Sequence, residues 1–127
     1  MQTFTEKQPF SLHKGAVLTK AVLRAAEHLG LSARSIAKAI GVSEPTVSRM
    51  KRGDYVLEEN SKAYEIAALL VRVFRSLDAI AGGDEKAMRA WMKNPNTALN
   101  GKPADKILTI SGLMDVIAYL DARRAII

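Results

Sequence analysis

One segment constrains the fold of this chain more than any other, residues 33–53, ARSIAKAIGVSEPTVSRMKRG. Ile36, Ala37 and Ile40 share one helical face because their spacing matches the period of an α-helix. Gly41 then supplies a turn in which the chain can adopt a positive φ. The segment is therefore expected to begin as a short helix that ends in a tight turn.

A second short helix is expected directly after this turn. Ser43 is a favourable N-cap, and Pro45 is tolerated in the first turn of a helix. Val47 and Met50 are three residues apart, so both can face back toward the first helix. The pattern predicts a helix-turn-helix with its two helices over residues 33–40 and 44–52.

The outer face of the second helix carries short polar and basic side chains. Residues of this kind on one exposed helical face suit contacts to base edges and to phosphates. The alternative is an ordinary helical hairpin inside an all-α domain, but the apolar positions, the turn, the cap and the basic end agree with each other. The outward-facing residues are Glu44, Thr46, Ser48, Arg49 and Lys51.

The positive charge of the chain is concentrated in the part that contains this pattern. The formal net charge is +6, from 19 Lys or Arg and 13 Asp or Glu. Residues 1–53 contain nine Lys or Arg against three Asp or Glu, whereas residues 54–127 contain ten of each. A basic excess that coincides with a helix-turn-helix is typical of a phosphate-binding module. We therefore expect DNA to be a partner.

Composition excludes several other classes of protein and site. No apolar run is long enough to cross a bilayer, and the N-terminus lacks the apolar core of a signal peptide. The absence of cysteine excludes disulfides and thiolate metal sites and fits a cytoplasmic protein. His13 and His28 are far apart, and there is no glycine-rich phosphate loop or His–carboxylate arrangement. We expect neither an enzyme nor a metal or other cofactor.

Helical periodicity continues along the rest of the chain, without strand-like alternation or internal repeats. Residues 1–13 are expected to form a flexible N-terminal arm. Asn60 or Ser61 is expected to cap one long helix, and Ser111 the last helix. The predicted fold class is all-α, with an N-terminal helix-turn-helix domain followed by a small helical domain. The further helices are expected over residues 15–29, about 61–81, 85–93, 103–108 and 112–122.

The long helix is apolar on more than one side. Such a helix is usually buried on more than one side. Two interpretations are open for it: a central core helix, or a helix that joins the two halves of the chain to a second subunit. Trp91, in the next helix, is expected to belong to the core.

The helix-turn-helix also resembles a known family. Its apolar, glycine and basic positions are similar to those of the Xre family, which includes phage repressors and places its second helix in the DNA major groove. The positions that carry the resemblance are Ala37, Gly41, Val42, Val47, Arg52 and Gly53. It implies that the residues nearest the bases are Ser43, Glu44, Thr46, Ser48 and Arg49. It implies phosphate contacts for Ser35, Lys38, Lys51 and Arg52.

The second half of the chain resembles a different domain, the toxin-binding domain shared by MbcA, ParS and Xre antitoxins. The residues that follow the pattern of that domain are Trp91, Asn96, Leu99, Gly101, Pro103, Leu108, Gly112, Val116, Leu120 and Arg123. Together the two resemblances cover nearly all of the chain. They imply an Xre-type antitoxin of a RES–Xre type II toxin–antitoxin system, whose toxin acts on NAD.

One loop and the C-terminus are the candidate contacts to such a toxin. The turn-rich loop 94–103 lies between helices, where partner-binding segments are common. At the C-terminus, two arginines are followed by aliphatic side chains, and exposed aliphatic side chains of this kind are favourable contacts for a partner. Two alternatives are equally open: the loop residues can hold the shape of the loop, and the terminal residues can end the helix or fold back. The candidates are Asn96, Leu99, Lys102, Arg123, Arg124, Ile126 and Ile127.

The expected function is therefore that of an antitoxin. It would neutralise a RES-type NAD-degrading toxin and repress its own operon, as a dimer or as a toxin complex, since one short helix contacts too few bases. The expected division is a DNA-binding domain over residues 1–58 and a toxin-binding and dimerisation domain over residues 59–127. The alternative is a plain Xre-family transcriptional repressor whose C-terminal half only dimerises.

Overall fold

A computed structural model describes the backbone of residues 2–125 and the side chains of residues 13–125. Seven α-helices and one short 3-10 helix follow one another in this part of the chain. They are α1 (Gln2–Leu29), α2 (Ala33–Ile40), α3 (Glu44–Arg52), α4 (Lys62–Ala81), α5 (Glu85–Lys93), the 3-10 helix (Thr97–Leu99), α6 (Pro103–Lys106) and α7 (Ile110–Arg124). Residues 2–125 contain no β-strand, so the all-α prediction is confirmed.

The helices begin and end where local side-chain chemistry places them. At six of the helix starts the N-cap side chain accepts a hydrogen bond from a backbone N–H of the first turn, which satisfies a donor that has no partner within the helix. The residues that do so are Ser32, Ser43, Ser61, Asp84, Asn96 and Thr109. The predicted bounds of α2 and α3 are confirmed at both ends.

Helix α4 lies at the centre of the molecule. It packs against α1, α2, α5 and α7. The buried apolar side chains of α1 to α7 form one continuous cluster, to which α4 contributes residues from Ala67 to Leu77. Helix α4 is therefore a central core helix that also joins the two halves of the chain, while its contact with a second subunit stays a prediction.

Two segments differ from the prediction near the chain ends. Helix α1 begins at Gln2, so the stretch predicted as an arm forms the first part of this helix. Extending a formed helix needs no new nucleus, which makes this continuation inexpensive. The last helix begins at Ile110, because its cap is the Thr109 hydroxyl, which accepts from Gly112 N at 3.1 Å. The prediction of Ser111 as the cap was wrong.

Gly112 explains how closely α7 approaches α6. A Cβ atom added at Gly112 would collide with the backbone oxygen of Lys106, at the end of α6. A glycine inside a helix costs backbone entropy relative to alanine. Here it permits close contact between the backbones of α6 and α7.

Candidate functional site

The helix-turn-helix is held by hydrogen bonds at its turn. Gly41 adopts φ 81°, and its N–H donates to the Ala37 oxygen at 2.9 Å. The Ser43 hydroxyl accepts from Thr46 N at 3.1 Å, which starts α3 two residues after the turn. Val47 and Met50 are buried against the rest of the domain. The remaining face of α3 is therefore turned outward, as the sequence predicts.

Helix α3 presents most of the predicted base-contacting residues at this outer face. Ser43, Glu44, Ser48 and Arg49 are exposed. Thr46 differs from them, because only 9% of it is accessible. Its hydroxyl lies 2.8 Å from the Ser43 hydroxyl and accepts from Arg49 Nη2 at 3.2 Å. The structure thus places Thr46 behind the surface, between the helix cap and an exposed cation.

The guanidinium of Arg49 has a second neighbour outside α3. Its Cζ lies 5.7 Å from the centroid of the Tyr55 ring, in the loop that follows the helix. This distance is within the range of a cation–π contact. Tyr55 is not among the residues that the sequence predicts for the site. An aromatic residue shortly after a basic helix end is the pattern that could have pointed to it.

The four predicted phosphate contacts are in different states. Lys38 and Lys51 are exposed, and no described residue forms an ion pair with either. Arg52 is exposed, but its Nε donates to Asp54 Oδ2 at 3.2 Å. The Ser35 hydroxyl is half-buried and lies 3.2 Å from the Ser32 hydroxyl at the start of α2. Among the described residues, the two lysines are therefore the cations of this set that have no ion-pair partner.

A basic groove of about 780 Å³ adjoins the C-terminal end of α3. It is lined by Lys20, Arg24 and Glu27 of α1, by Lys51 and Arg52 of α3, and by core side chains such as Ile36. Positive charge therefore continues from the helix-turn-helix onto α1. The basic excess of residues 1–53 predicts a basic surface, but it does not show where on the surface that charge lies.

The turn-rich loop of the second half is an ordered structure. Asn96 and Gly101 exchange two backbone hydrogen bonds, at 3.0 and 3.2 Å. The Asn96 side chain accepts from Leu99 N at 3.3 Å, and Leu99 is 95% buried in the core. Asn96 and Leu99 thus hold the loop in shape, which was one of the two alternatives. Lys102, next to them, is exposed.

The C-terminal candidates lie at the end of α7. Arg123 is exposed, with its Cζ 5.8 Å from the centroid of the Tyr119 ring. Arg124 is exposed as well, and its Nη1 donates to the Ser76 hydroxyl of α4 at 3.3 Å. Ile126 and Ile127 lie outside the described residues. Both arginines therefore place positive charge at the surface, in the last turn of α7.

Two known families together match residues 11–125 of the chain. Residues 11–75 match the family described as the antitoxin Xre-like helix-turn-helix domain. Residues 76–125 match the antitoxin Xre/MbcA/ParS C-terminal toxin-binding domain. The chain belongs to the Xre-type antitoxins. No curated protein matches it. The antitoxin thus combines a DNA-binding and a toxin-binding region, and both matched families are non-enzymatic regulators.

The two family matches meet inside α4 of the antitoxin. The junction lies between residues 75 and 76, and α4 spans Lys62–Ala81. The candidate DNA contacts all lie within the first match. The described toxin-binding candidates lie within the second.

The antitoxin also exposes two apolar side chains on α7 that sequence analysis assigned no role. Ile110 is 63% accessible and Met114 is 44% accessible, and they lie one turn apart in the toxin-binding region.

In the part of the chain that the structure describes, no helix is long and apolar enough to span a bilayer. Within the same part, no group of three or more potential metal-ligating side chains comes together.

Proposed function

We propose that this antitoxin neutralises a RES-type toxin that degrades NAD, and that it represses its own operon. The observation that carries the proposal is the pairing of the two matched domains in one chain, which the resemblance to RES–Xre systems accounts for. A toxin that acts on NAD would need continuous neutralisation in the cytoplasm, where we place the protein. The antitoxin itself needs no cofactor and catalyses no reaction in this proposal.

DNA binding is assigned to the proposed domain over residues 1–58. The exposed side chains of α3 would lie in the major groove, as the second helix does in helix-turn-helix proteins. The proposed base contacts are Ser43, Glu44, Ser48 and Arg49, with Thr46 acting through its contact to Arg49. The proposed phosphate contacts are Ser35, Lys38, Lys51 and Arg52.

Toxin binding is assigned to the proposed domain over residues 59–127. Three exposed cations are available for this contact: Lys102 in the loop, and Arg123 and Arg124 at the C-terminal end of α7. Ile126 and Ile127 would follow them into the toxin. Asn96 and Leu99 support the interface by holding the loop that carries Lys102.

Operator binding is assigned to a two-fold dimer, alone or within a larger toxin complex. A single α3 contacts only a few base pairs, so two copies on an inverted repeat are needed for useful specificity. This dimer would not use the buried apolar residues of α4, such as Leu70 and Leu77, which pack within the chain, whereas Ile66 and Phe74 are only partly buried. Its interface would come from residues that remain exposed.

Co-expression tests the toxin assignment. The toxin encoded beside this gene is induced alone, with the wild-type antitoxin, and with the variant Arg49→Ala, while growth and cellular NAD are measured. We expect the toxin alone to stop growth as NAD falls. Both antitoxins should restore growth and NAD, because Arg49 lies in the DNA-binding region.

Each part of the proposal has its own contradicting outcome. Growth arrest with an unchanged NAD level would exclude a RES-type toxin. Failure of the wild-type antitoxin to restore growth would contradict neutralisation. Equal expression from the operon promoter with the wild-type chain and with Arg49→Ala, in a reporter strain, would contradict repression through α3.

A further inference from the structure

The guanidinium of Arg49 is held on two sides by groups that carry no charge. Its Nη2 donates to the Thr46 hydroxyl at 3.2 Å, and its Cζ lies 5.7 Å from the centre of the Tyr55 ring. Neutral partners restrict the orientation of a cation without cancelling its charge. A long side chain that is already ordered loses less entropy when it binds a ligand.

Arg52 provides a contrast on the same helix. It follows Arg49 by three residues, so both lie on the outer face of α3. The partner of Arg52 is the Asp54 carboxylate, at 3.2 Å, which neutralises its charge and competes with any acceptor on DNA. Among the residues that the structure describes, none forms an ion pair with Arg49, so its orientation is restricted while its charge remains available to a ligand.

Both supports of Arg49 are themselves anchored. The Thr46 hydroxyl lies 2.8 Å from the Ser43 hydroxyl, at the cap of α3. The loop that carries Tyr55 is tied to the helix by Asp54 N, which donates to the backbone oxygen of Arg49 at 2.8 Å. The support for the guanidinium is therefore built from the beginning of the helix and from the loop at its end.

The donor geometry of arginine selects one base. A guanidinium has five N–H donors, and the Thr46 hydroxyl occupies one of them. The free donors can form the bidentate pair with O6 and N7 of guanine, which is the commonest specific contact of arginine in the major groove. Adenine and thymine offer no such pair of acceptors there, and cytosine presents a donor.

We infer that Arg49 binds a guanine in each half-site of the operator, and that Thr46 and Tyr55 are positioning residues for this contact. The inference rests on the proposed DNA-binding role of α3, and it adds the base that is recognised. It also adds a residue outside the recognition helix, Tyr55, to the specificity-determining set.

Atomic substitution in the DNA tests the guanine contact. The operator upstream of the gene is located by footprinting with the full chain, and its guanines are replaced one at a time by 7-deazaguanine, which lacks N7. At one guanine in each half-site we expect the affinity of the wild-type chain to fall roughly tenfold. The same replacement should change the affinity of Arg49→Ala by less than about twofold.

Paired variants test the two positioning residues. Tyr55→Phe keeps the aromatic ring and should bind as the wild type does. Tyr55→Leu should bind about three- to fivefold more weakly, and its penalty for 7-deazaguanine should shrink. Thr46→Ser keeps the hydroxyl, whereas Thr46→Val removes it and should behave as Tyr55→Leu does. Thermal unfolding of each variant shows whether the fold is retained.

The outcomes that overturn the inference are distinct. An equal 7-deazaguanine penalty for wild type and Arg49→Ala at every guanine would show that Arg49 binds elsewhere. A uniform loss with a smaller salt dependence would identify Arg49 as a phosphate contact. If Tyr55→Leu and Thr46→Val lost as much affinity on 7-deazaguanine DNA as the wild type does, Tyr55 and Thr46 would have no part in positioning Arg49. A chain with no preferred DNA sequence would overturn the proposed function, and this inference with it.

Discussion

Arg89 caps the C-terminal end of α1 from a helix of the other half of the molecule. Its Nη2 donates to the backbone oxygen of Glu27 at 2.7 Å, and its Nε donates to that of His28 at 3.3 Å. The last carbonyl groups of a helix lack partners within it, and a cation there also interacts favourably with the helix dipole. One side chain of α5 thereby joins the toxin-binding region to the first helix of the DNA-binding region.

We predict that Arg89→Ala lowers the free energy of unfolding by about 1–2 kcal/mol, because two charge-assisted hydrogen bonds to helix carbonyls are lost. Lys86→Ala is the matched control, since Lys86 is exposed on the same helix. Urea denaturation followed by circular dichroism measures both. Equal stability of the two variants would show that the cap contributes nothing.

A second prediction concerns Thr19, which connects α1 to the loop before α4. Its hydroxyl donates to the Gly15 oxygen at 2.7 Å and accepts from Leu57 N at 2.9 Å, and both contacts are buried. Thr19→Val keeps the shape but leaves a buried N–H without an acceptor, so we expect a loss of about 1–3 kcal/mol. Thr19→Ser retains the hydroxyl and should lose clearly less. The comparison is made by thermal unfolding, and a reversed order would contradict it.

The bounds of α2 and α3 follow from the sequence because every determinant is local. The Ser43 cap, the Gly41 turn and the buried Val47 lie within a few residues of each other, and each indicates the same boundary. Thr109 and Ser111 show the limit of such reasoning. Both residue types cap helices well, and helical periodicity does not distinguish the Thr109 hydroxyl, which accepts from Gly112 N, from the hydroxyl of Ser111.

In the candidate site, too, the local features were predictable from the sequence and the contacts between elements were not. Exposure of Arg49 follows from helical periodicity, since it lies opposite Val47 and Met50. Its support by Tyr55 does not, because the path of the loop after α3 is not encoded in periodicity. The capping role of Arg89 was not predictable from the sequence either, because its acceptors lie on α1, about 60 residues earlier in the chain.

Gly112→Ala tests the close contact between α6 and α7. The added methyl group would collide with the Lys106 oxygen, so we expect a loss of at least about 2 kcal/mol and weaker toxin binding through the displaced α7. Ser111→Ala is the control, because Ser111 is exposed and forms no cap. Calorimetric unfolding measures the effect. If Gly112→Ala were as stable as the control, α7 could move away from α6 at no cost.

Removal of residues 123–127 tests the proposed terminal contact. We expect toxin affinity to fall at least about tenfold, while the melting temperature changes little, because Arg123 and Arg124 are exposed. Arg124→Ala alone serves to separate the loss of the Ser76 hydrogen bond from the loss of the terminus. Surface plasmon resonance with immobilised toxin measures the affinity. Undiminished capture by the shortened chain would exclude the terminus from the interface.

Lys38→Ala tests the proposed phosphate contact of α2. Operator affinity should fall at all sequences alike, and the slope of log affinity against log salt should decrease by about one for each site occupied. Lys62→Ala is the control, because Lys62 is exposed at the start of α4, outside the helix-turn-helix. Fluorescence anisotropy over a salt series gives both slopes. Identical slopes for the two variants would remove Lys38 from the DNA contacts.

The central position of α4 has a consequence for how the antitoxin is degraded. Because one continuous cluster of buried side chains spans α1 to α7, we expect the two functional regions to unfold as a single cooperative unit. A protease that captures the unfolded chain would then eliminate the DNA-binding surface and the toxin-binding surface in the same event. Each molecule lost would free a toxin and vacate its place on the operator at once, so the abundance of one chain sets both responses.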